Sequence, residues 1–230
     1  MRRWRRRYYD VFSTFYDRVI ALHSRDAGGS LRAFLLDRAG AGPGRRLLDL
    51  CTGTGAVALR AAERVDDEGL VVGIDFSEGM IRRAREKART PGGAGPFFVV
   101  GDVAGLPFRD AAFDAVTCSH AMYELDPGTR EAALAESVRV LRPGGRFVMM
   151  EHCEPARPLI RALYRIRLAA MGSAGNRAFA RNEVPFLARH FRDVTRELAP
   201  GGRSKVIVAT RPGAQRRRRD PSEYRRTRST

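Results

Sequence analysis

Five short apolar runs, at residues 46–50, 70–75, 97–100, 113–119 and 146–151, alternate with helix-patterned stretches at 56–65, 77–89 and 129–141. Runs this short and this continuous in Leu, Val, Ile and Phe fit strands buried on both faces. Strands separated by helices must return through crossovers, which are almost always right-handed and lay the strands parallel. The expectation is a doubly wound, Rossmann-like α/β sheet, mostly parallel. Residues 194–198 and 205–210, joined through Pro200-Gly201-Gly202, are expected to close it as an antiparallel pair. Ser77 is the expected cap of the 77–89 helix, and Pro143-Gly144-Gly145 stop the 129–141 helix. Further helices are expected at 158–172 and 176–190. Residues 8–38 have helical spacing broken at 26–30, with Ser30 as N-cap of the second piece.

The chain has 230 residues, enough for one substantial core. It has no run of about 18 apolar residues, so no transmembrane helix is expected. No apolar stretch of useful length follows the basic start, so no secretory signal is expected either. Three well-separated cysteines, Cys51, Cys118 and Cys153, argue against a disulfide framework or a metal site and for a reducing cytoplasm. The net charge of +16 is concentrated at the ends. Residues 2–7 hold five arginines, and residues 211–230 hold eight against Asp220 and Glu223. Arginine-rich ends suit weak contact with RNA or an anionic lipid surface, which leaves peripheral membrane attachment open. Only two of the 42 basic residues, Lys87 and Lys205, are lysines, which favours compositional bias and a solvated, disordered basic tail over 211–230.

In a sheet of this kind ligands bind at the carboxyl ends of the strands. The first run ends Leu48-Asp49-Leu50-Cys51-Thr52-Gly53-Thr54-Gly55, and a helix follows at once. Gly53 and Gly55 permit a tight turn with no Cβ between backbone and ligand. The second run ends in Asp75, an acid able to accept from both hydroxyls of a ribose. No Gly-Lys-Ser/Thr follows, which excludes a P-loop, and Gly53-Thr54-Gly55 continues Ala56-Val57-Ala58, not the dinucleotide fingerprint. An adenosine with a zwitterionic tail in place of phosphates meets the loop, with Asp49 near the ammonium. S-adenosyl-L-methionine (SAM) is such a ligand.

From Leu47 to Glu151 the chain resembles the class I SAM-dependent methyltransferases, and most of all the ubiquinone/menaquinone-biosynthesis methyltransferases. Residues 48–55 resemble the first motif of that family, with Cys51 where many members have Gly or Ala. Gly73-Ile74-Asp75-Phe76-Ser77-Glu78-Gly79-Met80 resembles the second motif, Gly101-Asp102-Val103 with Leu106-Pro107-Phe108 the third, and Phe113-Asp114-Ala115-Val116 and residues 140–146 the remaining two. The resemblance implies a cofactor site of Asp49, Cys51, Thr52, Gly53, Thr54, Gly55, Asp75, Phe76, Met80, Gly101, Asp102, Val103 and Ser119. In it Asp75 faces the ribose, Phe76 and Met80 flank the adenine, and Asp102 lies near the adenine amino group. At the N-terminus Tyr16-Asp17 followed by Ser24 resembles the opening signature of the quinone methyltransferases, which adds Tyr16 to the site; Ile20, Asp26 and Gly28 depart from it. The implied division is a helical cover over 1–40, a SAM-binding methyltransferase domain over 41–210, and the basic tail.

The acceptor side departs most from the family. Ser119-His120-Ala121-Met122-Tyr123-Glu124 replaces an expected Arg-Asn pair, and His152-Cys153 interrupts the motif that Glu151 and Pro155 keep. His152 is the leading candidate for a general base, and His120 and Tyr123 are candidates to orient or deprotonate the acceptor. The alternative for His120 is a contact with the SAM carboxylate or a backbone carbonyl, without chemistry. Glu151 is expected to bond within its loop and Cys153 to pack. Residues 159–171 mix apolar positions with Arg161, Arg165 and Arg167, which suits a lid, a membrane-surface helix or a core helix equally. The expected activity is methyl transfer from SAM to a small quinone- or lipid-like acceptor. An RNA or protein methyltransferase and a catalytically silent SAM-binding protein are the alternatives.

Overall fold

The computed structural model describes residues 29–89, 95–154, 161–162 and 174–213. Its helices are α1 (Ser30–Ala39), α2 (Ala56–Ala62), α3 (Glu78–Lys87), α4 (Pro127–Val140), α5 (Ala174–Arg181) and α6 (Val184–Leu187). The strands are β1 (Arg46–Leu50), β2 (Leu70–Asp75), β3 (Phe97–Val100), β4 (Phe113–Ser119), β5 (Leu141–His152), β6 (Arg192–Leu198) and β7 (Ser204–Thr210). They form one sheet in the order β3-β2-β1-β4-β5-β7-β6. The first five strands pair in parallel, and β7 runs antiparallel to both β5 and β6. The crossover from β5 to β6 leaves a gap one strand wide. The turn at Gly201 and Gly202, both left-handed at φ 84 and 67, sends β7 back into it. The expected Rossmann-like α/β fold is the fold observed.

Local chemistry sets the element ends and corrects several expectations. Ser77 caps α3 by accepting from the Met80 amide at 3.2 Å. Ser30 is no cap: Gly29 holds the N-cap of α1 at φ 68, and Ser30 is already helical. The helix expected at 56–65 ends at Ala62. The one expected at 129–141 begins two residues early, because Pro127 suits a first turn and Asp126 accepts from the Thr129 amide at 3.0 Å. The continuous helix expected at 176–190 is two, α5 and α6, since Pro185 cannot continue one helix but readily begins another. β5 starts at Leu141, ahead of the expected residue 146, and an irregularity in its pairing with β4 absorbs the extra length. Tyr16, the first helix of the N-terminal cover and the helix at 158–172, apart from 161–162, lie outside the described residues.

Successive side chains on each strand point to opposite faces. On one face Phe113, Phe147, Phe179, Leu134 and Leu141 form a core beneath α4, α5 and α6. On the other, Leu35, Leu36, Val57, Ala58, Ile81 and Ala84 pack α1, α2 and α3 onto the sheet. Full burial of each large apolar side chain contributes about 1.5–3 kcal/mol. α1 is therefore part of the main core.

β2 runs so close beneath the β1 turn that a Cβ on Gly73 would lie 2.7 Å from Thr52 Oγ1 and 2.8 Å from the Phe98 ring. Gly73→Ala is expected to lower stability by about 1–3 kcal/mol through overpacking. An unchanged urea midpoint would show that Thr52 and Phe98 yield freely.

Candidate active site

The sheet order reverses at β1, which is flanked by β2 and β4, and the carboxyl end at such a reversal is where sheets of this kind bind ligands. The turn after β1 is left-handed at Cys51, Gly53 and Gly55, with φ of 51, 55 and 82. Small size alone does not explain the residues there: position 51 demands a conformation that a Cβ disfavours, which is why Gly suits it and Cys51 is strained. The Thr52 amide donates to the Ile74 carbonyl at 3.0 Å, joining the turn to β2.

Two acids hold this turn. Asp49, 1% exposed, accepts from the hydroxyls of Thr52 at 2.6 Å and Thr117 at 2.8 Å. Burial pushes its carboxyl up to about 7; the two hydroxyls oppose the shift, and the neighbouring Asp75 adds to it. Asp75, also buried, accepts from the Gly53 amide at 2.9 Å and the Ser77 amide at 3.0 Å. The sequence placed both acids at strand ends but missed Thr117. Its signal was a polar residue in the otherwise apolar middle of β4.

The remaining cofactor candidates follow the rim. Thr54 and Met80 are buried, and Phe76 is half-buried. Gly101 donates its amide to the Asp75 carbonyl at 2.9 Å, and Asp102 is exposed, accepting from the Ala104 amide at 3.0 Å. Val103 is buried in the core. Arg139 of α4 fixes this loop: it donates to the carbonyls of Leu106 and Phe108, at 2.9 and 2.7 Å, and pairs with Asp110 and Glu136. Nothing in the sequence had marked it.

The two histidines come together, with ring centroids 4.0 Å apart. His120, left-handed at φ 55, donates its amide to the Met150 carbonyl at 2.7 Å. Its Nδ1 lies 3.1 Å from Ser119 Oγ and its Nε2 3.4 Å from Ser204 Oγ. Burial, His152 and Arg32 hold the His120 imidazole well below its ordinary range, so it is neutral. His152 is exposed, whereas Tyr123 is half-buried and donates its hydroxyl to Glu124 at 3.0 Å. Glu151 forms no hydrogen bond within its loop; it is buried on the face opposite His152. Cys153 is half-buried and donates its amide to the Arg203 carbonyl at 2.8 Å. Ser204 was missed because β7 reaches the site only through the tertiary fold.

Solved structures share this architecture. The chain is similar to a SAM-dependent methyltransferase from Aquifex aeolicus, with a TM-score of 0.64, 21% identity, and 82% of this chain and 95% of that chain covered. Another is the PH0226 protein from Pyrococcus horikoshii, with a TM-score of 0.60, 24% identity, and 83% and 91% covered. Sheet order and glycine turn define the class: a Rossmann-like α/β domain with a glycine turn at the carboxyl end of β1.

The chain belongs to the ubiE/COQ5 methyltransferase family, whose model matches residues 5–193. It is 45% identical over 133 residues to the demethylmenaquinone methyltransferase of Beutenbergia cavernae, covering 58% of this chain and 51% of that relative. It is 31% identical over 183 residues to the enzyme of that name from Lactococcus lactis, covering 80% and 67%. To the ubiquinone/menaquinone biosynthesis C-methyltransferase UbiE of Shewanella pealeana it is 33% identical over 136 residues, covering 59% and 53%. The chain thus spans between about half and two thirds of the length of these curated relatives.

Asp49 also gives the fold a pH dependence. A carboxyl raised in the folded state binds its proton more tightly than in the unfolded chain. Its contribution is complete below its ordinary value of 3.8 and is lost as pH rises to about 7. Replacing Asp49 with Asn removes this titration. In denaturant melts the stability difference should shift toward Asp49→Asn between those pH values and be constant above. A difference independent of pH would show that the Asp49 carboxyl is not raised.

Proposed function

We propose that this chain transfers a methyl group from SAM to a quinone-type small molecule that lacks one ring methyl. The match of the ubiE/COQ5 family over residues 5–193 carries the proposal, and the names of the relatives supply the acceptor class.

The residues present fit SAM. Asp49 is a buried acid to whose ionisation, among the described residues, two hydroxyls and a second acid contribute but no cation. A ligand ammonium beside it would complete its electrostatics. The turn over Cys51, Thr52, Gly53, Thr54 and Gly55 offers backbone to the amino-acid part, with Ser119 beside it. Asp75 ends β2 beside the glycine turn, the position from which an acid accepts from ribose hydroxyls. Phe76, Met80, Gly101 and Asp102, along the rim after β2 and β3, are assigned to the adenine end. Bound SAM supplies a methyl carbon already activated on a positively charged sulfur.

The chain's task is then to align the acceptor and take its proton. His152 is the base: it is exposed, and its neighbour His120 is neutral. His120, set between Ser119 and Ser204, is a positioning residue that fixes the ring against which His152 packs. Tyr123 orients the acceptor from the turn after β4.

Calorimetry against SAM, S-adenosylhomocysteine, NAD and ATP tests the cofactor. Binding of the two sulfur nucleosides alone is expected, and preference for NAD or ATP would overturn it. Asp75→Ala should weaken SAM binding by about 1.5–3 kcal/mol. With labelled SAM and a demethylated menaquinol, His152→Ala should lower kcat by about 10²–10⁴. Unchanged turnover across the pH range would remove the base role.

A further inference from the structure

Cys51, Cys118 and Cys153 are free thiols, far apart in the sequence, yet the fold brings two of them together. β1 and β4 pair in parallel with Leu50 opposite Cys118, and Cys51 follows Leu50 directly. On ideal sheet spacings such a diagonal sets the two Cα atoms about 6 Å apart. A disulfide bridges Cα atoms roughly 4.4–6.8 Å apart. Cys153 stands beyond Met149, the partner of Cys118 on β5, about 13 Å along the strand and out of bridging reach.

Direction matters as much as distance. Register partners point to the same face, and Leu50 and Cys118 are both buried in the core beneath α4, α5 and α6. An extended strand would turn the next residue to the other face. Cys51 is instead left-handed, at φ 51, and packs on the same core as Cys118. The two thiols meet there, with the Cys118 S–H donating to the Cys51 sulfur.

The pair is graded in access. Cys51 is half-buried on the glycine turn, whereas Cys118 is fully buried. The hydrogen bond to Cys51 first, then burial, then the charges of Cys51, Glu151 and Asp49 push the Cys118 thiol well above its ordinary range. Cys118 therefore keeps its proton while its partner reacts. A partly exposed sulfur backed by a second thiol is the arrangement of a redox sensor with its resolving cysteine. We propose that Cys51 and Cys118 are a dithiol switch, which a hydroperoxide converts to a disulfide that closes the glycine turn to SAM and a thiol reductant reopens. The inference rests on the assignment of that turn to SAM given above.

The oxidation balances. The Cys51 sulfur attacks the peroxide, the O–O bond breaks, and Cys51 becomes a sulfenic acid as one water leaves. The Cys118 sulfur then attacks the Cys51 sulfur. The S–O bond breaks, the S–S bond forms, and the Cys118 proton leaves with the hydroxide as a second water. The two thiols lose two electrons, and the peroxide takes them. Thiol–disulfide exchange with a reductant returns both thiols. Each cysteine adjoins a hydroxyl that Asp49 holds, Thr52 after Cys51 and Thr117 before Cys118. Drawing the sulfurs from hydrogen-bond contact to about 2 Å pulls the turn toward β4. That moves it off the position set by those two bonds and by the Thr52 amide on the Ile74 carbonyl.

The test uses the whole chain as wild type, Cys118→Ala and Cys153→Ser, treated with hydrogen peroxide and digested without reductant. Mass spectrometry should find peptides joined through Cys51 and Cys118 in wild type and in Cys153→Ser, and dithiothreitol should part them. Cys118 left as a free thiol, or either cysteine joined to Cys153, would overturn the proposal. Bound S-adenosylhomocysteine should slow the linkage, and an unchanged rate would show that the turn is not what the ligand covers. By calorimetry, linked wild type should bind S-adenosylhomocysteine about tenfold more weakly than reduced wild type, because the cradle is displaced. Dithiothreitol should restore the affinity. A linked protein of unaltered affinity would overturn the switch. After excess peroxide Cys118→Ala, compared with its own reduced form, should not recover, because without a resolving thiol Cys51 runs on to the sulfinic acid. Recovery equal to that of wild type would also overturn it. The mass measurement needs neither variant nor ligand. Reduced wild type that binds no S-adenosylhomocysteine would refute the assignment of the turn to SAM, whether or not the linkage forms.

Discussion

The buried carboxyl of Asp49 is the tie on which the carboxyl end of the sheet depends. It lies at the end of β1, takes the Thr52 hydroxyl from the turn and the Thr117 hydroxyl from β4, and so joins three pieces of chain through one side chain. A turn with two glycines has little stiffness of its own. Its shape comes from the acids beneath it, Asp49 on one side and Asp75, bonded to the Gly53 amide, on the other. Asp75 raises the cost of ionising Asp49, so the turn is held over two neighbouring acids. A cationic ligand fits such a cradle better than a phosphate does.

The alternation of side chains along β4 and β5 then splits the rim by chemistry. On the α1 side stand the two imidazoles, with Ser119 and Ser204 at the His120 nitrogens. On the α4–α6 side stand Glu151, Glu183 and Lys205, shut away from water. Adjacent residues, Glu151 and His152, thus occupy opposite faces and opposite dielectric environments.

Much of this was legible in the residues. β1 to β4 were readable to the residue because Asp, Gly and Ser punctuate their ends. The meeting of His120 and His152 was implicit in the pairing of β4 with β5, once both lay at carboxyl ends. Helix limits were less legible. Gly29, left-handed at φ 68, took a cap that Ser30 had the side chain for. Pro185 marked a break that helical periodicity concealed. The contributions of Ser204, Lys205, Arg139 and Glu183 were not legible. They depend on which strand fills a gap and which helix end reaches a loop, and neither leaves a local signature. Lys205 carried a faint one, as one of two lysines in an arginine-rich chain.

The antiparallel strand β7 has a consequence for how the molecule is made. It lies between β5 and β6, although it is synthesised after both. Ser204, which faces His120, and Lys205, which sits against Glu183, both arrive with it. On a ribosome, the glycine turn and its acids emerge early and can fold, as N-terminal portions do. The acceptor side waits for the last strand to slide into place between two existing neighbours. A chain that ends before β7 lacks both Ser204 against His120 and Lys205 against Glu183.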